Sequence, residues 1–101
     1  MLRFILLSIY KSNVFAMNRK KEERITAYLA KIPPAISGQN GHTQTFHVAR
    51  ILVHGFGLSD LDAMAFLERY SARCVPPWSR RELKHKLASA RKSGPGKMQR
   101  L

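Results

Sequence analysis

Apolar residues recur at helical spacing in four segments of the chain, with residues that stop helices between them. The first segment predicts a helix over about residues 19–31, which Pro33 and Pro34 end. The second predicts a helix over about residues 43–54, which Gly55 ends. The inward-facing positions of these two helices are Ile25, Tyr28, Leu29, Ile32, Phe46, Ala49, Leu52, Val53 and Phe56.

Each of the other two helices begins at a Ser-x-x-acid sequence, the pattern of a helix N-terminus. Ser59 starts the third helix. Ser79 and Glu82 form a capping box at the start of a helix over residues 80–91, directly after a stiff Pro-Pro-Trp elbow. The inward-facing positions of these two helices are Ala63, Phe66, Leu67, Tyr70, Cys74, Leu83, Leu87 and Ala90.

Short loops between amphipathic helices predict an all-α domain, in which four helices over residues 19–92 pack as a compact, bundle-like unit. A chain of 101 residues has room for one hydrophobic core. Basic, flexible tails are expected on both sides of this domain. They are an N-terminal extension over residues 1–18 and a disordered tail over residues 93–101, which begins with Ser-Gly-Pro-Gly.

The N-terminal extension contains an apolar run, residues 4–9, that is too short to span a bilayer as a helix. Three interpretations stay open: a signal peptide, a transit peptide, or translation that begins at Met17. We favour a start at Met17, because the remainder of the chain has the composition of an intracellular nucleic-acid module.

The chain carries 18 Lys and Arg against 6 Asp and Glu, a formal charge of +12 that is concentrated at its two ends. Basic ends on an apolar centre indicate a polyanionic partner, with nucleic acid favoured over an anionic membrane. A basic surface that serves solubility alone is the simpler alternative. The single cysteine, Cys74, excludes an internal disulfide and suits a small core residue, so we expect a reducing, cytoplasmic location.

The carboxylates and the metal-ligating side chains have structural explanations in the sequence. Asp60 and Asp62 lie in the first turn of a helix, where the helix dipole favours negative charge, and Glu82 belongs to its capping box. The four histidines and the cysteine lack the spacing of a zinc site. We therefore expect a protein that is not an enzyme and that binds no metal or cofactor.

A glycine-containing loop over residues 37–41 precedes a helix N-terminus, where backbone amides attract anions. The loop lacks the sequence of a P-loop, so we favour a structural role over phosphate binding. Gln39 and His42 are the residues there that would reach a ligand.

Nucleic-acid binding is the activity that the residues support best. Arg80, Arg81 and Lys84 occupy the first turns of the last helix, where side chains and free amides reach phosphates together. Trp78 and Tyr70 are aromatic residues that could stack on a base, although a core position is favoured for Trp78. The predicted contact residues are Arg80, Arg81, Lys84 and His85, a second strip of His47, Arg50 and His54, and the loop residues Gln39 and His42.

Three segments together resemble the small helical C-terminal domain of primases, which follows the primase-polymerase domain in replication proteins of phages, plasmids and other mobile elements. They are Pro33-Pro34-Ala35-Ile36-Ser37-Gly38-Gln39-Asn40-Gly41-His42 with Thr45-Phe46, then Leu52-Val53-His54-Gly55-Phe56-Gly57-Leu58-Ser59, then Arg73-Cys74-x-Pro76-Pro77-Trp78-Ser79-x-x-Glu82-Leu83-x-His85-Lys86. The resemblance covers about residues 25–90. The chain departs from the family pattern at two positions. Ser71 stands where an asparagine is common, and Thr43 stands where an aspartate often starts the second helix. Thr43 can still cap that helix.

This resemblance implies a DNA-associated accessory role in primer synthesis, through contact with template DNA or by coupling a primase to a helicase. It brings no catalysis, because primases carry their catalytic carboxylates in a preceding α/β domain. We expect DNA, single-stranded or duplex, as the partner, together with a primase catalytic or helicase domain encoded nearby, and no membrane. Two alternatives stay open: a module that docks on an acidic replication protein, and a small helix-turn-helix regulator.

Overall fold

The computed structural model describes residues 19–96 and residue 101, which form four α-helices around one core. The helices are α1 (Arg19–Ala30), α2 (Gly41–Arg50), α3 (Asp60–Ser71) and α4 (Arg80–Ser93). A single π-helical turn, Ile51–Gly55, continues α2. The prediction of a compact all-α domain is therefore confirmed. The N-terminal extension over residues 1–18, with its three interpretations, lies outside the described residues.

Both predicted Ser-x-x-acid helix starts are confirmed. The hydroxyl of Ser59 accepts a hydrogen bond from the backbone N–H of Asp62 at 3.3 Å. At the start of α4, the hydroxyl of Ser79 accepts from the N–H of Glu82 at 3.1 Å, and the Glu82 carboxylate accepts from the N–H of Ser79 at 3.0 Å. This reciprocal pair satisfies two amides that have no partner within the helix, so the start of α4 is sharply defined.

The start of α2 differs from the prediction. The helix begins at Gly41, and Asn40 precedes it in the left-handed conformation, with φ 62° and ψ 33°. Asn40 makes no capping hydrogen bond through its side chain. A Cβ atom at Gly41 would lie 3.3 Å from the carbonyl oxygen of Ile36, so the close approach of the preceding loop favours glycine there. Thr43 lies within the first turn and is not the cap that we expected.

The core confirms the inward-facing stripes of α3 and α4, because every residue predicted to face inward on these helices is buried. In α1, Tyr28 departs from the prediction: it is 39% exposed and packs edge-on against Phe56, with ring centroids 5.5 Å apart. In α2, Thr45 and Val48 are fully buried, although neither belonged to the predicted inward face. Ala49, Leu52, Val53 and Phe56 of the predicted inward face are also buried, so the buried face of this helix is wider than predicted.

The π-helical turn changes the register at the end of α2. The N–H of Phe56 donates to the carbonyl of Ile51, five residues earlier, at 2.9 Å. Three consecutive side chains in this turn, Ile51, Leu52 and Val53, are buried.

Helices α2 and α4 run side by side in the same direction. At their N-terminal ends, Trp78 donates a hydrogen bond to Thr45 of α2. At their C-terminal ends, Nη2 of Arg50 donates to the carbonyl of Pro95 at 2.8 Å. Nε2 of His54 lies 2.9 Å from the carbonyl of Ala90, which places the ring proton on Nε2. Residues of α2 and its π-helical turn thus bond to one carbonyl in the last turn of α4 and to one just after the helix.

The residues that follow α4 are bonded to α2. Ser93 is the last residue of α4. Arg50 donates from Nη2 to the carbonyls of Gly94, at 3.4 Å, and Pro95, at 2.8 Å, so the chain is held against α2 beyond the helix. Residues 97–100 lie outside the described residues.

Tyr70 of α3, and Arg73 just after that helix, donate hydrogen bonds to carbonyls at and after the C-terminal end of α1. Nη2 of Arg73 donates to the carbonyls of Leu29, at 2.9 Å, and Ile32, at 3.0 Å. The hydroxyl of Tyr70 donates to the carbonyl of Pro33 at 2.9 Å. Because α1 has no basic residue in its own last turn, Arg73 supplies the positive charge that favours that helix end.

Replacing Arg73 should loosen α1 more than the rest of the domain. We expect Arg73→Ala to lower the free energy of unfolding by about 1–2 kcal/mol, because two carbonyls lose a charged donor. Hydrogen exchange of the α1 amides should accelerate more than that of the α4 amides. The control is Arg24→Ala, an exposed arginine of α1, which should change neither measurement. Equal acceleration in α1 and α4 would show that the bonds of Arg73 do not hold α1 in particular.

Tyr70 should make the domain sensitive to alkali. Burial, above all other causes, raises the pKa of Tyr70 to about 12 from 10.0. Above pH 10 the unfolded chain releases the phenolic proton while the folded chain keeps it until about pH 12, so stability falls as the pH rises through that window. Urea unfolding at several pH values should show this loss in the wild type and a smaller one in Tyr70→Phe. An identical pH dependence in both proteins would refute the assignment.

Candidate nucleic-acid interface

The Pro-Pro-Trp elbow is hydrogen-bonded to the loop between α1 and α2. The N–H of Val75 donates to the carbonyl of Ala35 at 3.0 Å, and the N–H of Ser37 donates to the carbonyl of Val75 at 2.8 Å. Ile36 and Val75 thereby form an isolated parallel bridge. The Val75–Pro76 peptide bond is cis. These contacts place the start of α4 beside the start of α2.

Trp78 connects the elbow to the core through two hydrogen bonds. Its backbone N–H donates to the hydroxyl of Ser71, and its indole Nε1 donates to the hydroxyl of Thr45, both at 2.8 Å. Thr45 and Ser71 are the two buried polar residues of the described part. The indole ring packs against the hydrophobic core, as predicted, although it is only partly buried. Trp78 therefore determines where α4 lies against α2.

The outer surface of Trp78 is covered by two side chains. The His42 ring meets the indole at a centroid distance of 4.8 Å and an angle of 64°. Nζ of Lys86 lies 4.4 Å from the ring centroid and 3.1 Å from Nδ1 of His42. Desolvation lowers the pKa of Lys86, partly opposed by the negative charge of Glu82. A base that stacked on Trp78 would therefore have to displace Lys86. Tyr70 is only 1% exposed, so it is too buried to stack on a base.

Helix α4 carries seven basic or histidine side chains that differ in what they bond. Arg80 pairs with Glu68 at 3.3 Å, and Arg91 pairs with Asp60 at 2.7 Å. Glu82, the only acid of α4, accepts the N–H of Ser79, and this hydrogen bond is the main cause that lowers its pKa. Four exposed side chains of α4 have no bonded partner within the described residues: Arg81, Lys84, His85 and Lys92.

The second predicted strip does not form a continuous binding surface. His47 is exposed. Arg50 bonds to the carbonyl of Pro95, just after α4, and His54 bonds to the carbonyl of Ala90 in the last turn of that helix. We therefore leave Arg50 and His54 out of the surface proposed below, because a phosphate would have to compete with these bonds.

The loop before α2 separates its two predicted contact residues. His42 lines a cavity of about 170 Å³ between the loop and the elbow, and it lies beside Trp78 and Lys86. Gln39 is exposed and lines another depression, together with Asn40 and Thr43. His42 thus adjoins the basic face of α4, whereas Gln39 does not line that site.

The described residues assemble no group of three or more His, Cys, Asp or Glu side chains that could hold a metal ion. Cys74 is buried, with its thiol 3.5 Å from the carbonyl of Tyr70, which confirms its predicted place in the core. None of the helices in this part of the chain has the length and apolar character needed to cross a membrane.

Comparisons with known protein families, with curated proteins and with solved structures find no match to this chain. The resemblance to the primase C-terminal domain therefore stays a prediction.

Two basic residues of the site were not among the predicted contact residues. Lys92 lies eleven residues after Arg81 in the same helix, which is a helical repeat, so the spacing could have indicated it. Lys86 was visible in the same basic helix, but its contact with Trp78 depends on the elbow and on α2. Thr45 belongs to the first segment of the resemblance, but nothing in the local sequence indicates that it accepts the hydrogen bond of the indole.

The hydrogen bond between Trp78 and Thr45 should be necessary for the geometry of the site. Thr45→Val keeps the shape of the side chain but leaves the indole N–H without its acceptor, so we expect a loss of about 1–2 kcal/mol in stability. Because Trp78 is the only tryptophan, its fluorescence spectrum should shift in the folded variant. Thr43→Val, at an exposed position of the same helix, is the matched control. Equal effects of the two variants would contradict this role for Thr45.

Proposed function

We propose that this chain is a non-catalytic DNA-binding module that acts as an accessory in DNA replication. The observation that carries the proposal is the exposed face of α4, where Arg81, Lys84, His85 and Lys92 have no bonded partner within the described residues. The unpaired charges of Arg81, Lys84 and Lys92 on one helix favour the phosphates of a polyanion, since they need not break an internal ion pair to bind.

The dimensions of this face suit a nucleic-acid backbone. Arg81 and Lys92 are separated by about 16 Å along the helix axis, at a rise of about 1.5 Å per residue. That length covers several phosphates of one strand, which follow one another at about 3.4 Å along a duplex axis. The contacts would be to phosphates and so would carry little sequence preference. Lys86 and His42 extend the basic surface toward Trp78.

The role in replication rests on the resemblance to primase C-terminal domains. Two of its three segments, the loop before α2 and the Cys-x-Pro-Pro-Trp-Ser segment, meet in the fold through the hydrogen bond from Ser37 to Val75. One residue from each of these two segments, His42 and Trp78, lines a depression together with Arg81 and His85 of α4. The proximity of these two segments to the unpaired cations supports a shared role in binding DNA.

Charge reversal on α4 should weaken DNA binding specifically. We expect Arg81→Glu to lower the affinity for labelled single-stranded and duplex oligonucleotides by about tenfold or more at low salt. The slope of log affinity against log salt should fall by about 0.7 on single strands or about 0.9 on duplex for each phosphate that the variant no longer neutralises. Fluorescence anisotropy across a salt series measures both quantities.

The matched control is Arg24→Glu, which reverses the charge of an exposed arginine on α1. It produces the same change in net charge, so it should have a much smaller effect than Arg81→Glu. Equal losses in the two variants would show that net charge, and not the face of α4, governs binding. Absence of wild-type binding at low salt would refute the proposed function outright.

A further inference from the structure

A groove of about 700 Å³ lies between α3 and α4, on a different face of α4 from the one beside Trp78. Met64, Leu87 and Ala88 contribute apolar surface to it. Leu61, which also lines the groove, is 67% exposed, more than any other large hydrophobic side chain of the described part. An exposed leucine at an apolar groove provides contact area for an apolar face of another molecule.

The rim of the groove is basic. Four cationic side chains line it: Arg80, Lys84, Arg91 and Lys92. The acid in the lining, Asp60, is neutralised by its ion pair with Arg91 at 2.7 Å. Lys84 and Lys92 have no bonded partner within the described residues, so both ammonium groups are available to a carboxylate. The groove therefore combines an apolar floor with a positive edge.

We propose that this groove binds an acidic amphipathic helix of a partner protein. The apolar face of such a helix would cover Leu61 and Met64, in the helix-in-groove mode of recognition. Its flanking carboxylates would meet Lys84 and Lys92, which complements the charge of the rim. Lys84 and Lys92 belong both to this rim and to the proposed DNA-binding face, whereas Arg81 and His85 do not line the groove, so variants of Arg81 and Leu61 test the two proposals separately.

The chain itself offers a poor occupant for the groove. Residues 1–18 and 97–100, which lie outside the described part, contain Lys and Arg but no Asp or Glu. In the folded domain, several carboxylates are already engaged: Glu22 with Arg69, Glu68 with Arg80, Asp60 with Arg91, and Glu82 in its capping box. Charge complementarity therefore favours a separate, acidic protein over a second copy of this chain.

A designed peptide tests the proposal with the full-length protein. The probe is a labelled peptide of fourteen residues, the length of α4, with leucines at helical spacing on one face and glutamates elsewhere. The control peptide has the same composition, with the leucines scattered around the helix. We expect saturable binding of the patterned peptide, about tenfold or more tighter than that of the control by fluorescence anisotropy.

Variants of the groove should abolish this preference. Leu61→Asp adds a negative charge at the apolar edge and should weaken binding of the patterned peptide by about tenfold or more. Val75→Asp, at an apolar position 61% exposed outside the groove, should leave binding unchanged. Ala88→Glu places a larger, charged side chain in the groove from α4 and should weaken binding of the patterned peptide in the same way. It replaces Leu61→Asp as the test if Leu61→Asp folds poorly.

Several outcomes would overturn the inference. Equal binding of the two peptides would show attraction by charge without a groove, and an unchanged affinity in Leu61→Asp would exclude this site. A wild-type dimer that Leu61→Asp dissociates in sedimentation would show that a second copy occupies the groove. A loss of DNA affinity in Leu61→Asp as large as that in Arg81→Glu would assign the groove to DNA.

The two proposals can also fail separately. If the wild-type protein does not bind DNA but still prefers the patterned peptide, the proposed function is refuted and this inference stands.

Discussion

The arrangement of the domain depends on the hydrogen bond between the indole of Trp78 and the buried hydroxyl of Thr45. An indole N–H that packs against a hydrophobic core needs an acceptor, and the acceptor here belongs to another helix. That requirement fixes the start of α4 beside the start of α2. The bonds of Arg50 to Pro95 and of His54 to Ala90 hold the other ends together, so the two helices run in the same direction. The position of α4 in turn decides which of its faces contacts the core and which presents cations to solvent.

The basic side chains divide into two groups with different roles. Arg50, His54 and Arg73 reach carbonyls at the ends of neighbouring helices and hold the fold together. Arg81 and Lys84, in the first turns of α4, are exposed and bond to none of the described residues, so they stay available to an external anion. A chain with this many cations thus uses some of them to satisfy backbone groups and exposes others, and formal charge does not distinguish the two groups.

Much of the fold could be predicted because its causes are local in the sequence. The starts of α3 and α4 follow from Ser59 and Ser79, which bond to amides three residues away. The stripes of α3 and α4 follow from apolar spacing. The prediction was less accurate for α2, because its left-handed Asn40 and its π-helical turn depend on packing against the preceding loop and the core. The candidate site was only partly predictable for the same reason.

The sequence by itself determined an all-α domain, the helix caps, most of the core and the concentration of positive charge on the last helix. Each of these follows from spacing within a few residues, where backbone geometry alone sets which side chains are neighbours. Only the tertiary structure decided which cations remain unpaired, where Trp78 finds its acceptor, and that an apolar groove adjoins the basic face. These properties join residues that are far apart in the chain, such as Arg50 with Pro95 and Trp78 with Thr45, and no local pattern specifies such pairs.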